Sequence, residues 1–178
     1  LVSCNSGDDC SDGHCSNFVC TPDNLEYIRG KSDRLGSSPF EIADGLAHLD
    51  EVSHYIGLTN DFYLQTTEVT QAQWIALVST NPSLHPDETT EEGGPCTTNC
   101  PVQHVNWFET LVYANLLSLS EGFEPCYTLN DCNDVEPGEG LICTDIIANI
   151  DGGDNNHYHC EGYRLPTEAE WEFAIRAG

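Results

Sequence analysis

Ten cysteines against no methionine constrain this 178-residue chain more than any other feature of its sequence. Their spacing separates two chemistries. Structural zinc favours closely paired C-x2-C knuckles, whereas the first four here, Cys4, Cys10, Cys15 and Cys20, are more widely and evenly spread. An even count without such knuckles reads as a disulfide framework built in an oxidising compartment. Residues 1–23 are nearly devoid of apolar side chains, so this stretch needs covalent staples to fold at all. Interlaced Cys4–Cys15 and Cys10–Cys20 bridges are expected there, one of three connectivities that four cysteines allow. Cys96 and Cys100 sit close enough for a local bridge. Further on, a nested arrangement, Cys126–Cys160 outside Cys132–Cys143, would tie an excursion to the body, the inner pair closing a turn through Pro137-Gly138. Other pairings of those four stay open.

Charge narrows the function classes. Thirty acidic and five basic residues give a formal charge of −25, a field that repels phosphate backbones and anionic lipid. Nucleic-acid binding and membrane-surface roles are therefore not expected. No apolar run approaches the length of a membrane span, and the chain opens at Leu1 rather than at Met or a basic leader. Export follows as the expectation: a secreted, extracellular, periplasmic or cell-surface protein whose acidic surface suits a salty or calcium-containing exterior. Three of the five basic residues, Arg29, Lys31 and Arg34, fall in one short stretch.

Helix signals recur three times. Thr70 precedes Gln73 by three, Asn106 precedes Glu109, and Thr167 precedes Glu170, each at the capping-box spacing in which cap and N3 side chains satisfy one another's backbone N–H. After the first, Trp74, Leu77 and Val78 form an apolar stripe, and at that spacing Trp74 reads as core. After the second, Trp107, Leu111 and Ala114 mark one face and Phe108, Val112, Leu116 and Leu119 another, so this helix should pack between other elements. After the third, an Ala- and Glu-rich run is expected to dock two aromatics, Trp171 and Phe173, into a core. Strands are expected at Leu58–Leu64 and Val102–Val105. The organisation expected is an α+β protein with little regular structure: a disulfide-rich module over 1–23, a loop-punctuated connector over 24–57, and a larger domain over 58–178.

Four stretches carry a resemblance. Arg164-Leu165-Pro166-Thr167-Glu168-Ala169-Glu170-Trp171-Glu172-Phe173-Ala174 closely resembles the signature of the sulfatase-modifying-factor, or formylglycine-generating-enzyme, family. Phe62-Tyr63-Leu64-Gln65-Thr66-Thr67-Glu68-Val69-Thr70-Gln71-Ala72-Gln73-Trp74, then Asn81-Pro82-Ser83, then Pro101-Val102-Gln103-His104-Val105-Asn106-Trp107 match it in the family's order. The resemblance runs from Leu58 to Gly178 and implies the N-terminal portion of a domain whose fold is related to C-type lectins. It further implies that the family's copper-binding cysteine pair and calcium ligands lie past the Arg-Leu-Pro-Thr-Glu motif. No catalytic residue carries over, and copper enters only if a further C-terminal half supplies its ligands.

Other chemistry is sparse. Asp151, Asp154 and Asn155, set around two glycines, are candidate calcium ligands because they offer the oxygens hard cations take, but without EF-hand spacing; an Asx-rich turn has the same composition. His157 and His159 would share one side of an extended segment. No P-loop, dinucleotide fingerprint or His-Glu-x-x-His occurs. Two function classes follow. One is an extracellular binding or assembly subunit whose incomplete domain is covered by a protein partner or by self-association. The other is the N-terminal part of a copper-dependent oxidase acting on a substrate cysteine.

Overall fold

The computed structural model describes residues 14–16, 19–21, 24–45, 52–83, 98–148 and 157–176. The chain forms two compact units, Leu1–Thr67 with Pro166–Gly178, and Glu68–Leu165. Both are mixed α/β and rest on short elements, with strands that pair two by two among the described residues. Of the ten cysteines, Cys4, Cys10 and Cys96 lie outside the described residues, and so do the Cys4–Cys15, Cys10–Cys20 and Cys96–Cys100 assignments.

In the first unit, β1 (His14–Ser16) and β2 (Val19–Thr21) form a hairpin that sets Cys15 opposite Cys20. Strand β3 (Leu25–Ile28) pairs antiparallel with β6 (Phe62–Gln65), and β4 (Ser32–Leu35) with β5 (His54–Gly57). Helix α1 (Pro39–Ala43) lies between them in sequence. The stretch read as a connector thus contributes three strands and a helix. Local periodicity hides these strands, because each is four residues long and the partner of β3 lies beyond the segment, at Phe62–Gln65.

Leu35, Leu58 and Phe173 form the core of this unit, with Ile28, Ile56, Phe62 and Ala169 packed around them. Phe173 arrives on α4 (Glu168–Ile175). Thr167 Oγ1 accepts from the Glu170 N–H at 3.2 Å, and Glu170 Oε2 accepts from the Thr167 N–H at 2.7 Å, closing the expected box. Only one aromatic of this helix docks. Phe173 is 3% exposed and Trp171 53%, because residues two apart on a helix point about 200° away from each other. Thr167→Ala should cost about 1 kcal/mol through the lost cap, whereas Trp171→Ser should stay within about 0.5 kcal/mol. Urea denaturation of the two variants checks both.

In the second unit, α2 (Gln71–Leu77) and α3 (Trp107–Ser120) both start in complete capping boxes. Trp74 is buried as read from the sequence. It stacks on Tyr113 with ring centroids 5.2 Å apart and planes 8° from parallel, and its Nε1–H donates to the Thr80 carbonyl at 3.0 Å. Val69, Leu77, Val102, Val105, Leu116 and Leu117 pack around this pair. A hairpin follows, β7 (Tyr127–Cys132) against β8 (Cys143–Ala148). Cys126 is bonded to Cys160 and Cys132 to Cys143, and Cys100 is in a disulfide as well.

Helix α3 departs from its expected two-sided burial. Leu111, Tyr113, Ala114 and Ser118 are buried, yet Trp107 and Leu119 are more than half exposed. Val112 and Leu116 are half-buried and line a groove, Leu116 also packing on the Trp74 core.

Candidate functional site

The second unit gathers its polar interior around one carboxylate. Glu109, the N3 residue of α3, is 1% exposed. Its Oε2 accepts from the Asn106 N–H at 2.8 Å, as the capping box requires. Its Oε1 reaches a different part of the chain and accepts from three backbone N–H groups, Gly138 at 2.8 Å, Gly140 at 2.9 Å and Leu141 at 3.1 Å. Gly138 and Gly140 both have φ near +89°, a conformation that side chains beyond Cα rarely adopt, and it lets successive N–H groups converge on one oxygen. Burial pushes the Glu109 carboxyl up, but the N–H groups of Asn106, Gly140, Leu141 and Gly138 outweigh it and hold the group below its ordinary range.

Further bonds fix the same 133–142 loop. Asn106 Nδ2 donates to the Leu141 carbonyl at 2.9 Å and Thr80 Oγ1 to the Pro137 carbonyl at 2.6 Å. Thr80 is in turn the residue that accepts from Trp74. Next to it, Asn81 Nδ2 donates to buried Gln71 Oε1 at 2.9 Å, Asn81 Oδ1 accepts from the Ser83 N–H, and Ser83 Oγ accepts from the Gln103 N–H. The Asn-Pro-Ser motif and the Val102–Val105 stretch are thus one hydrogen-bonded assembly, but the strand expected at Val102–Val105 does not form: Pro101 makes an isolated bridge to Thr70, and His104 leaves the extended region with φ of 58°. Alongside lies a groove of about 450 Å3, walled by Leu77, Val78, Val112, Leu116, Glu136 and Pro137.

At the outer edge of the assembly stand Trp107, 54% exposed, and Ile142, 55% exposed. The Asn106–Leu141 bond ties together the two chain segments that carry them. The sequence reading assigned Glu109 only its capping role. The one available signal was Pro137-Gly138-Glu139-Gly140, a turn whose two glycines permit clustered N–H groups.

The sequence-derived cation candidates Asp151, Asp154 and Asn155 lie outside the described residues. Among the described residues no group of three or more His, Cys, Asp or Glu converges as a metal site. Copper of the family type needs thiolate ligands. Cys100, Cys126, Cys132, Cys143 and Cys160 are all committed to disulfides and do not fit it. No helix among the described residues is long and apolar enough to cross a membrane.

The chain matches the family model of the sulfatase-modifying factor enzyme 1-like domain over residues 34–178, and it belongs to that family. The resemblance carried by its four motifs is thereby confirmed, with the match beginning upstream of Leu58. Over 123 residues the chain is 33% identical to the chaperone protein LppX of Paenibacillus barcinonensis, which covers 67% of this chain and 37% of that protein. Among solved structures it is similar to Treponema denticola variable protein 1, with a TM-score of 0.60 and 27% identity over 86% of this chain and 52% of that one. The chain therefore spans roughly a third to a half of these relatives.

Proposed function

We propose that this chain is an exported binding or assembly subunit that holds a polypeptide partner. The observation that carries the reading is the placement of Trp107 and Ile142, both more than half exposed, on segments tied to the rigid Glu109 assembly. Large apolar side chains held in solvent on a fixed frame mark interaction surfaces. Two further facts support it. A relative carries the name chaperone, and the disulfides suit an oxidising exterior.

Binding of a fluorescently labelled, reduced and alkylated polypeptide tests the reading by anisotropy. Full binding by the parent and at least a tenfold loss in Trp107→Ser/Ile142→Ser, with thermal stability kept, is the expected result. Equal binding by parent and variant overturns it. Light scattering in the same samples separates a partner complex from self-association. The family description, which names an enzyme, favours a second reading, the N-terminal part of a copper-dependent oxidase. Copper-dependent oxidation of a cysteine peptide by the full-length polypeptide distinguishes that reading from the first.

A further inference from the structure

The two disulfides of the second unit differ in access and in what each one holds. Cys126–Cys160 links residues 34 apart, and Cys126 is 2% exposed. Cys132–Cys143 links residues 11 apart that face each other across the β7–β8 ladder. Its Cys143 end is 3% exposed, while its Cys132 end is open to solvent.

The loop closed by this second bond is also held without it. The Asn133 N–H donates to the Ile142 carbonyl and the Ile142 N–H to Asn133 Oδ1, both at 2.9 Å. Asn133 Nδ2 donates to the Gly140 carbonyl at 3.1 Å, and Glu109 takes the Gly138, Gly140 and Leu141 N–H groups. Such a bond is able to open while its surroundings stay folded. Its setting is also one-signed. Asp131, Asp134, Glu136, Glu139 and Asp145 are all exposed around it, and no Lys or Arg occurs between Arg34 and Arg164.

We propose that Cys132–Cys143 is a thiol-exchange site selective for cationic thiols, the natural class being a cysteine flanked by Lys or Arg in a partner polypeptide. The incoming thiolate attacks Sγ of Cys132, the exposed residue of the pair, and forms a new S–S bond there. The Cys132–Cys143 bond breaks, and Cys143 Sγ leaves with the electron pair and takes a proton from water. One disulfide is exchanged for another, so no outside oxidant or reductant is consumed. Access decides which sulfur is struck, and the surrounding carboxylates enrich cationic thiols while repelling anionic ones. This deepens the binding reading by naming a partner chemistry. Small thiols probe the exchange with no partner present, so either reading is able to fail alone.

The test exposes the folded chain, in mildly alkaline buffer, to cysteamine, 2-mercaptoethanol or glutathione. Each rate is divided by that thiol's rate on neutral bis(2-hydroxyethyl) disulfide, and adducts are located by mass spectrometry after acid quenching. A mixed disulfide on Cys132 alone is expected, with Cys126–Cys160 intact and cysteamine ahead of glutathione by about tenfold at low salt. High salt, or Asp131→Asn with Asp134→Asn, should shrink that ratio severalfold. A Lys-flanked cysteine peptide should outpace its Glu-flanked counterpart in the same way, which separates a polypeptide source from a free thiol. Adducts on Cys143, no adduct until urea unfolds the chain, or a ratio at or below one overturns the proposal. A Cys132→Ser/Cys143→Ser variant should keep a cooperative melt, and its failure to fold would refute the separately held loop.

Discussion

Replacing Glu109 with glutamine is expected to destabilise the fold by about 3–5 kcal/mol, the range seen when one partner of a buried charged network is removed. The reason is geometric. Four backbone N–H groups point at the two carboxylate oxygens. An amide offers one neutral oxygen, and its NH2 must then face donors on the other side. Whichever way it turns, at least one buried N–H loses its acceptor. Such a loss is a large fraction of a domain's usual 5–15 kcal/mol, and non-reducing urea titration should show it as a shifted midpoint with little change in slope.

The same carboxylate sets an acid limit. A group held below its ordinary range contributes stability that is fully present above the unfolded-state value and is lost as pH falls through the folded one. The parent should therefore keep its stability down to about pH 4, near the free-glutamate value, and lose it below. Glu109→Gln has no such proton to take up, so the gap between parent and variant should narrow in that acid window. A gap of constant width from neutral to strongly acid pH would show that the carboxylate charge is not what matters.

Trp74→Ala is the second large effect, a loss of about 3–5 kcal/mol. Trp74 is 1% exposed, stacks face to face on Tyr113 and satisfies the Thr80 carbonyl. The truncation removes a large apolar contact, leaves a cavity and orphans an acceptor. Trp74→Phe keeps most of the stack and loses mainly the hydrogen bond, so it should cost about 1–2 kcal/mol. Equal losses in the two variants, read by thermal melts, would contradict this division.

What was legible in the sequence is what lives within one helical turn. Thr70 and Gln73, Asn106 and Glu109, and Thr167 and Glu170 stand three apart, and all three boxes form. The family words were equally visible, since four motifs in register do not depend on knowing any contact. Interactions across the chain were not legible. The second oxygen of Glu109 binds N–H groups 29 to 32 residues away, and backbone amides carry no side-chain signature to reveal it. Strands β3, β4 and β5 were hidden for a related reason, being too short to show alternation before their partners are known. Trp171 misled differently. Hydrophobicity places it with Phe173, and only helical geometry separates them.

The 133–142 loop is fastened chiefly through main-chain groups and Asn133, while Asp134, Val135, Glu136 and Glu139 face outward. Gly138 and Gly140 are held to glycine by their positive φ, but the exposed side chains between these anchors take no part in the fastening. Outward positions of this kind are free to be rewritten over evolutionary time without renegotiating the architecture beneath. Recognition is thereby able to diverge among descendants whose frame stays the same.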